Sequence, residues 1–174
     1  MKNQSIEIAI EFDEEGLPTE YETFVTRPNK ITFMLVYECV SFLASLEGEP
    51  STSDMHQMVD LVIRIYDNQM SKSVLVDGLT SYSATLILYE QIVNIASGNS
   101  RDSKSKVSKE VKNTEVTSWE EAKDSMKKVY KDMAKAEGSD VNSILSLPFF
   151  FVFDELNSQS NTVKRESSML AAFG

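Results

Sequence analysis

The stretch ITFMLVYECVSFLASL, residues 31–46, is apolar at most of its positions, and it decides the fold. Its apolar residues recur at helical spacing, which predicts a helix from about residue 30 to 47, ended by Gly48 and Pro50. They also occupy several sides of that helix, whereas a helix on a protein surface has a single apolar stripe. We therefore expect this helix to be buried on two sides.

The residues before this helix alternate between apolar and polar, which is the period of a half-buried strand. Residues 6–12 read IEIAIEF, and residues 21–26 read YETFVT. The turn residues between them include Gly16 and Pro18, so the two segments predict a β-hairpin.

The residues after the first helix predict two further helices, at about 54–70 and 80–97. Ser53 or Asp54 is a candidate cap for the first of these, and a short connection through Asp77 and Gly78 joins them. Two strands and three helices predict a compact α+β body over residues 1–97.

The composition changes at residue 98. Residues 98–117 contain no aromatic residue and are rich in serine and lysine, so we expect a flexible linker there. Ser118 and Glu121 have the spacing of a capping box and predict the start of a helix, which Gly138 ends. A second helix should follow and break at Pro148.

The predicted fold class is thus α+β: a short N-terminal β-hairpin packed on a helical body, then the flexible linker and a C-terminal helical hairpin. The hairpin extension covers residues 118–160, and a tail at 161–174 is expected to be disordered.

The charge is divided unevenly along the chain. Residues 1–97 carry 5 Lys and Arg against 15 Asp and Glu, while residues 98–174 carry 12 of each sign. A surface that binds nucleic acid normally clusters lysine and arginine, so nucleic acid is not an expected partner. The sequence contains no apolar run long enough for a membrane span, and the single Cys39 lies in an apolar segment that predicts a buried, inert thiol. These features predict a soluble cytoplasmic protein without a signal peptide.

The sequence offers little for catalysis. His56 is the only histidine, and the six glycines are scattered without a phosphate-binding motif. The acidic clusters at 13–15 and 154–155 are explained more simply as a solvated turn and a helix end. We therefore predict no enzyme activity, no catalytic residue, no metal site and no cofactor.

Two apolar sets exceed what a small body can bury. The segment ILSLPFFFVFDEL, residues 144–156, carries an aromatic run after Pro148 that one helical seam cannot absorb. This run either docks on the body, self-associates, or stays open for an apolar client. Its candidate client-binding residues are Leu147, Phe149, Phe150, Phe151 and Phe153. The wide apolar face of the first helix predicts self-association, with Phe33, Val36, Tyr37 and Val40 as candidate contacts.

The arrangement resembles the tail assembly chaperones of long-tailed bacteriophages, particularly those infecting low-GC Gram-positive hosts. The resemblance is carried by FMLVYECVSFLASLEGEP at 33–50, VDLVIRIYDNQMSKSVLVDGL at 59–79 and ILSLPFFFVFDEL at 144–156, and it covers most of residues 5–156.

The resemblance implies a function and partners. Such chaperones bind and solubilise the tape measure protein, recruit tail tube (major tail) subunits, and act in the host cytoplasm rather than in the mature virion. They are typically made in two lengths by ribosomal frameshifting, and this chain resembles the long form, with the junction within 98–118. An alternative of another class is a small regulatory or antitoxin-like protein that neutralises a target through its C-terminal hairpin.

Overall fold

The structure, a computed structural model, describes residues 3–79, 84–98 and 118–149. Strands β1 (Ser5–Phe12) and β2 (Pro18–Val25) form an antiparallel hairpin, and a short 3₁₀ turn, Pro28–Lys30, leads into the helices. Within the described ranges these are α1 (Phe33–Ser45), α2 (Thr52–Ile65), α3 (Lys72–Gly78), α4 (Ala84–Ala96), α5 (Trp119–Glu137) and α6 (Val141–Leu145). The predicted α+β fold class, with an N-terminal hairpin and C-terminal helices, is confirmed.

The hairpin is anchored at its open end. Ile6 pairs with Phe24, and both side chains are buried in the main core, which consists of buried residues from β1, β2 and α1 to α4. The register slips on both sides of Glu11, so Ile10 has no opposite partner, as in a β-bulge. The pairing is therefore irregular between the part of the hairpin that Ile6 and Phe24 hold and its outer half.

Helix α1 is buried on two sides, as its sequence predicts. The side chain of its N-cap residue, Thr32, accepts a hydrogen bond from the backbone N–H of Leu35 at 3.2 Å. One side of α1 belongs to the main core, through residues such as Val36 and Phe42. The other side, at Phe33, joins a smaller second core with residues of α5 and α6.

The interior of the body differs from the prediction between residues 51 and 79. The cap of α2 is Ser51 and not Ser53 or Asp54; Asp54 is instead the third helical residue and completes a capping box with Ser51. Helix α2 ends at Ile65, because Asp67 and Asn68 adopt left-handed backbone conformations with φ of 57° and 56°.

The predicted connection through Asp77 and Gly78 is the end of a helix, α3. This helix is capped by the side chain of Ser71, which accepts from the N–H of Val74 at 3.3 Å. Gly78 is buried against β1: a Cβ at this position would collide with the backbone oxygen of Ala9 and with Ile8 Cγ2. Glycine therefore lets α3 pack directly on the first strand.

The C-terminal helices begin and end largely where the sequence predicts. The hydroxyl of Ser118 accepts from the N–H of Glu121 at 3.2 Å, and Gly138 ends α5 in a left-handed conformation with φ of 62°. Asp140 caps α6, which ends at Leu145, before Pro148. The predicted linker beyond Gly98, the residues after Phe149 and the predicted tail lie outside the described residues.

Candidate functional site

The C-terminal helices pack on the body through α1. We call α5, α6 and residues 146–149 together the C-terminal cover. Its buried residues, Met133, Ala134, Ile144 and Leu145, enclose Phe33 of α1, which is only 2% exposed. Full burial of a phenylalanine side chain stabilises a fold by about 1.5–3 kcal/mol. Phe33 is therefore the centre of the contact between the two parts of the chain.

Four aromatic rings organise this contact. The Phe33 ring lies 5.7 Å from the Phe149 ring, centroid to centroid, and 6.3 Å from the Tyr130 ring in an edge-to-face arrangement. Tyr130 meets Tyr37, one turn further along α1, edge to face at 5.8 Å. Such pairs contribute about 0.5–1.5 kcal/mol each beyond the area that they bury. The cover is thus held by oriented ring contacts as well as by burial.

Two backbone hydrogen bonds also join residues 147–149 of the cover to residues 31–33. The N–H of Phe33 donates to the carbonyl oxygen of Leu147 at 2.9 Å, and the N–H of Phe149 donates to that of Ile31 at 2.9 Å. Thr32 and Pro148 form the antiparallel bridge between these two bonds. In such a bridge the central pair donates no hydrogen bond to its partner, so the missing N–H of Pro148 leaves no bond unmade.

The structure brings part of the predicted client-binding set onto the predicted self-association set. Leu147 and Phe149 are half-buried, and both pack in the second core with Phe33. Phe149 also packs against the main core, so it joins the two cores. The other three predicted client-binding residues, Phe150, Phe151 and Phe153, lie outside the described residues.

The predicted self-association residues divide between the two sides of α1. Phe33 and the half-buried Tyr37 face the C-terminal cover. Val36 belongs to the main core and is 0% exposed, and Val40 is 1% exposed. Self-association through Phe33 and Tyr37 stays a prediction, and it requires the cover to leave α1; contact through Val36 would further require the main core to open.

The buried side of α1 has no reactive group. Cys39 is 0% exposed in the main core, and its burial, with a smaller effect from the neighbouring Glu38 carboxylate, raises the pKa of the thiol to about 12. Since the thiolate is the nucleophilic form, this thiol is unreactive at neutral pH. The predicted burial of Cys39 is confirmed. Glu38 itself forms an ion pair with Arg64 of α2 at the partly exposed rim.

The described residues present no constellation suited to metal chemistry. Within residues 3–79, 84–98 and 118–149, no three His, Cys, Asp or Glu side chains converge as a metal site requires. His56 is exposed on α2, at an open groove between α2 and α3 that Met55, Val59 and Val76 also line. None of the helices in the described part of the chain is both long and apolar enough to cross a membrane.

Three contributors to this site have little or no signal in the sequence: Tyr130, Ile31 and Thr32. Tyr130 lies on the apolar side of α5 with Met126 and Met133, and their helical spacing is the only sequence signal of its position. Ile31 and Thr32, which pair with residues 147–149, gave no signal, because a bridge between segments more than a hundred residues apart has no local sequence pattern.

Comparison with protein-family models identifies the body. The model described as "Phage tail chaperone protein" matches residues 1–113, which is more than half of the chain. The chain belongs to this family. The family consists of assembly proteins and not of enzymes, so this chaperone acts in phage tail morphogenesis. No curated protein and no solved structure matches the chain.

Proposed function

We propose that this tail chaperone binds and solubilises the tape measure protein and recruits tail tube subunits, using the aromatic run after Pro148 as its client-binding element. The client chemistry that fits is a long apolar helix, since the predicted site offers Leu147, Phe149, Phe150, Phe151 and Phe153 as neighbouring apolar side chains. The family match favours this function over the regulatory or antitoxin-like alternative.

The observation that carries the proposal is the contact of Phe149 with Phe33. The Phe149 ring contacts the Phe33 ring and its N–H donates to the carbonyl oxygen of Ile31, yet the Phe149 side chain remains only half-buried, whereas Phe33 is fully buried. A partly exposed segment opens at a lower free energy than fully buried residues do. We propose that Leu147 and Phe149 leave α1 when a client helix binds, and that the client then contacts both residues together with the aromatic run.

Release of this segment would couple client binding to self-association. Phe33 and Tyr37 lose ring partners when the cover moves, and an exposed aromatic patch favours contact with a second copy. The chain in its closed form would thus keep its self-association surface covered until a client is present. Assembly along a long tape measure protein would then add copies only where client is bound.

The experiment is co-expression of the full chain with a tagged fragment of the tape measure protein from the same phage. Phe150→Ser with Phe153→Ser should abolish co-purification, because truncating an aromatic anchor weakens binding by about 2 kcal/mol or more. The matched control is Leu86→Ser with Val76→Ser, two exposed apolar residues on α4 and α3. Co-purification should remain unchanged in the control.

The stability of the body separates binding from packing. The urea unfolding midpoint of the Phe150→Ser, Phe153→Ser variant should equal that of the wild type, since the proposal assigns these side chains to the client. Retained co-purification together with a collapsed midpoint would show that the run is buried core, and the client-binding proposal would be wrong.

We further infer that the chain is the long, frameshift-extended form, made in the cytoplasm of a Gram-positive host. The family match ends at residue 113, and α5 and α6 lie beyond it, which supports an extension added to a common body. A slippery site in the gene between codons 98 and 118, with a tape measure gene directly downstream, is the expected finding. An uninterrupted gene that yields a single product would contradict the inference.

A further inference from the structure

The outer half of the hairpin is the largest collection of uncovered apolar side chains among the described residues. Leu17 is 58% exposed and Tyr21 53%, while Ile10 and Phe12 are just under two-fifths exposed. With Val25, five of the eight large apolar side chains exposed in the described ranges belong to this hairpin. We call residues 10–22 the outer hairpin. Helix α3 packs on β1, whereas β2 is exposed from Thr19 to Thr23 and buries only Phe24.

The backbone presents these side chains in a fixed arrangement. The carboxylate of Asp13 accepts from the N–H of Glu15 at 3.0 Å and from that of Leu17 at 2.8 Å. The N–H of Asp13 in turn donates to the carbonyl oxygen of Leu17 at 2.9 Å. The N–H of Gly16 also donates to the carbonyl oxygen of Asp13 at 3.0 Å, so four hydrogen bonds close the turn, and a partner would lose little conformational entropy in binding the adjoining strands.

The charge of the hairpin is of one sign. Residues 3–26 contain seven Asp and Glu residues, at positions 7, 11, 13, 14, 15, 20 and 22, and no Lys or Arg. Such a surface repels nucleic acid and anionic membranes, and it repels the same hairpin of a second copy. Complementary charge requires a cationic partner.

Acidic residues on a two-stranded sheet also protect its open edges from pairing with other chains. That role explains the carboxylates, but it does not explain why Leu17 and Tyr21 remain apolar, since edge protection alone would favour polar side chains at these exposed positions. The combination of apolar side chains with uniform negative charge fits a partner that carries both apolar and cationic residues.

We propose that the outer hairpin is a docking surface for an extended segment of a partner protein in which lysine or arginine alternates with apolar residues. The segment adds to the free edge of a strand, its apolar side chains cover Phe12, Leu17 and Tyr21, and its cations pair with carboxylates such as Glu11 and Glu20. This surface is separate from the α1 contact, and the proposal does not depend on the client-binding function.

The probe is a fluorescent synthetic peptide of about ten residues, the length of a long strand, in which lysine alternates with valine and leucine. Its binding to the full-length chain is measured by anisotropy at low and at physiological salt. We expect saturable binding that weakens as salt rises, because screening reduces the attraction between exposed charges. Absence of saturable binding at low salt would overturn the proposal.

Two pairs of substitutions separate the apolar from the charged contribution. Phe12→Ser with Tyr21→Ser, and independently Glu11→Gln with Glu20→Gln, should each weaken peptide binding by about tenfold or more. The matched control on α4, Leu86→Ser with Glu90→Gln, removes the same chemistry from another exposed face and should change binding by less than about twofold. Equal weakening in the control would show unspecific attraction to an acidic protein and would overturn the proposal.

A second peptide tests the apolar contribution directly. In it serine replaces every valine and leucine, so it keeps the charge and loses the apolar side chains. We expect it to bind about tenfold or more weakly than the first peptide. Equal binding of the two peptides would reduce the interaction to charge alone and contradict the proposal. If Phe12→Ser with Tyr21→Ser alters the circular dichroism spectrum, the Glu11→Gln, Glu20→Gln pair decides, since both of these side chains are exposed.

Discussion

The Phe33 side of α1 and the outer hairpin are both apolar surfaces of the same body. The C-terminal cover buries the first, whereas the second is exposed. Phe33 on α1 is 2% exposed beneath the C-terminal cover, whereas Leu17 on the hairpin is 58% exposed. The covered surface is aromatic, and Glu38, the acidic residue of α1, is paired with Arg64. The hairpin segment, residues 3–26, contains seven Asp and Glu residues and no Lys or Arg.

The difference indicates what each surface contributes. An apolar surface that its own chain covers contributes to the free energy of folding, so truncating it should destabilise the protein. An uncovered surface contributes little to folding, so truncating it should change only binding. The predictions below test this division with the free energy of unfolding, measured by urea denaturation of the full-length chain.

The largest loss is expected for Phe33→Ala. Removing a buried phenylalanine costs about 3–5 kcal/mol in a well-packed core, because a cavity replaces the lost contacts. Here the cavity would lie between Tyr130 and Phe149, which both contact the Phe33 ring. The measurement is the free energy of unfolding from urea titrations followed by circular dichroism.

The control for Phe33→Ala is Leu86→Ala, which truncates a side chain that is 56% exposed on α4. Its effect should stay within about 0.5 kcal/mol. An equally small effect for Phe33→Ala would mean that the cover does not rest on α1 in solution. The Phe33 side of α1 would then be uncovered like the outer hairpin.

The next largest loss of unfolding free energy is expected for Gly78→Ala, which tests whether the hairpin packs on α3. The added methyl group would collide with the backbone oxygen of Ala9, which has no freedom to rotate away, and overpacking of this kind costs about 1–3 kcal/mol. The measurement is again urea unfolding. Val76→Ala, on an exposed position of the same helix, serves as the control and should have almost no effect. A neutral Gly78→Ala would show that the hairpin does not pack on α3.

Local patterns were enough to predict most of the elements of this fold. The alternation of residues 6–12, the wide apolar face of α1, and the stop of α5 at Gly138 each depend on neighbouring residues, so the sequence contains their signals. Helix α3 was missed because it spans only about two turns and ends in a glycine, which disfavours helices in propensity terms.

The candidate site was predictable only in part. The aromatic run and the apolar excess of α1 were both evident from composition, but which surface covers which depends on contacts between distant segments. The bridge of Thr32 with Pro148 is such a contact. The exposure of Tyr21 and Leu17 was likewise hidden, because an alternating strand does not reveal whether anything packs on its outer half.

A smaller loss is expected for Gln69→Ala, which tests a second link between hairpin and body. The Gln69 side-chain amide donates to the carbonyl oxygens of Val25 at 2.8 Å and Tyr66 at 2.7 Å. Loss of a typical hydrogen bond costs about 0.5–1.5 kcal/mol, so the variant should lose about 1 kcal/mol. Lys72→Ala, which removes only an exposed ion pair with Asp60, should cost less than about 0.5 kcal/mol. A larger loss of unfolding free energy for Lys72→Ala than for Gln69→Ala would mean that Gln69 does not bond to the hairpin at Val25.

The smallest effect is expected for Leu17→Ser at the tip of the hairpin. Because Leu17 is already 58% exposed in the folded chain, its truncation removes little buried area, and the free energy of unfolding should change by less than about 0.5 kcal/mol. The measurement is urea unfolding at two protein concentrations. A loss above about 2 kcal/mol that grows with protein concentration would mean that a second copy covers the hairpin in solution, since association stabilises the folded state by mass action. The hairpin would then resemble α1, and the seven carboxylates would have to be neutralised at that interface by cations from elsewhere in the chain.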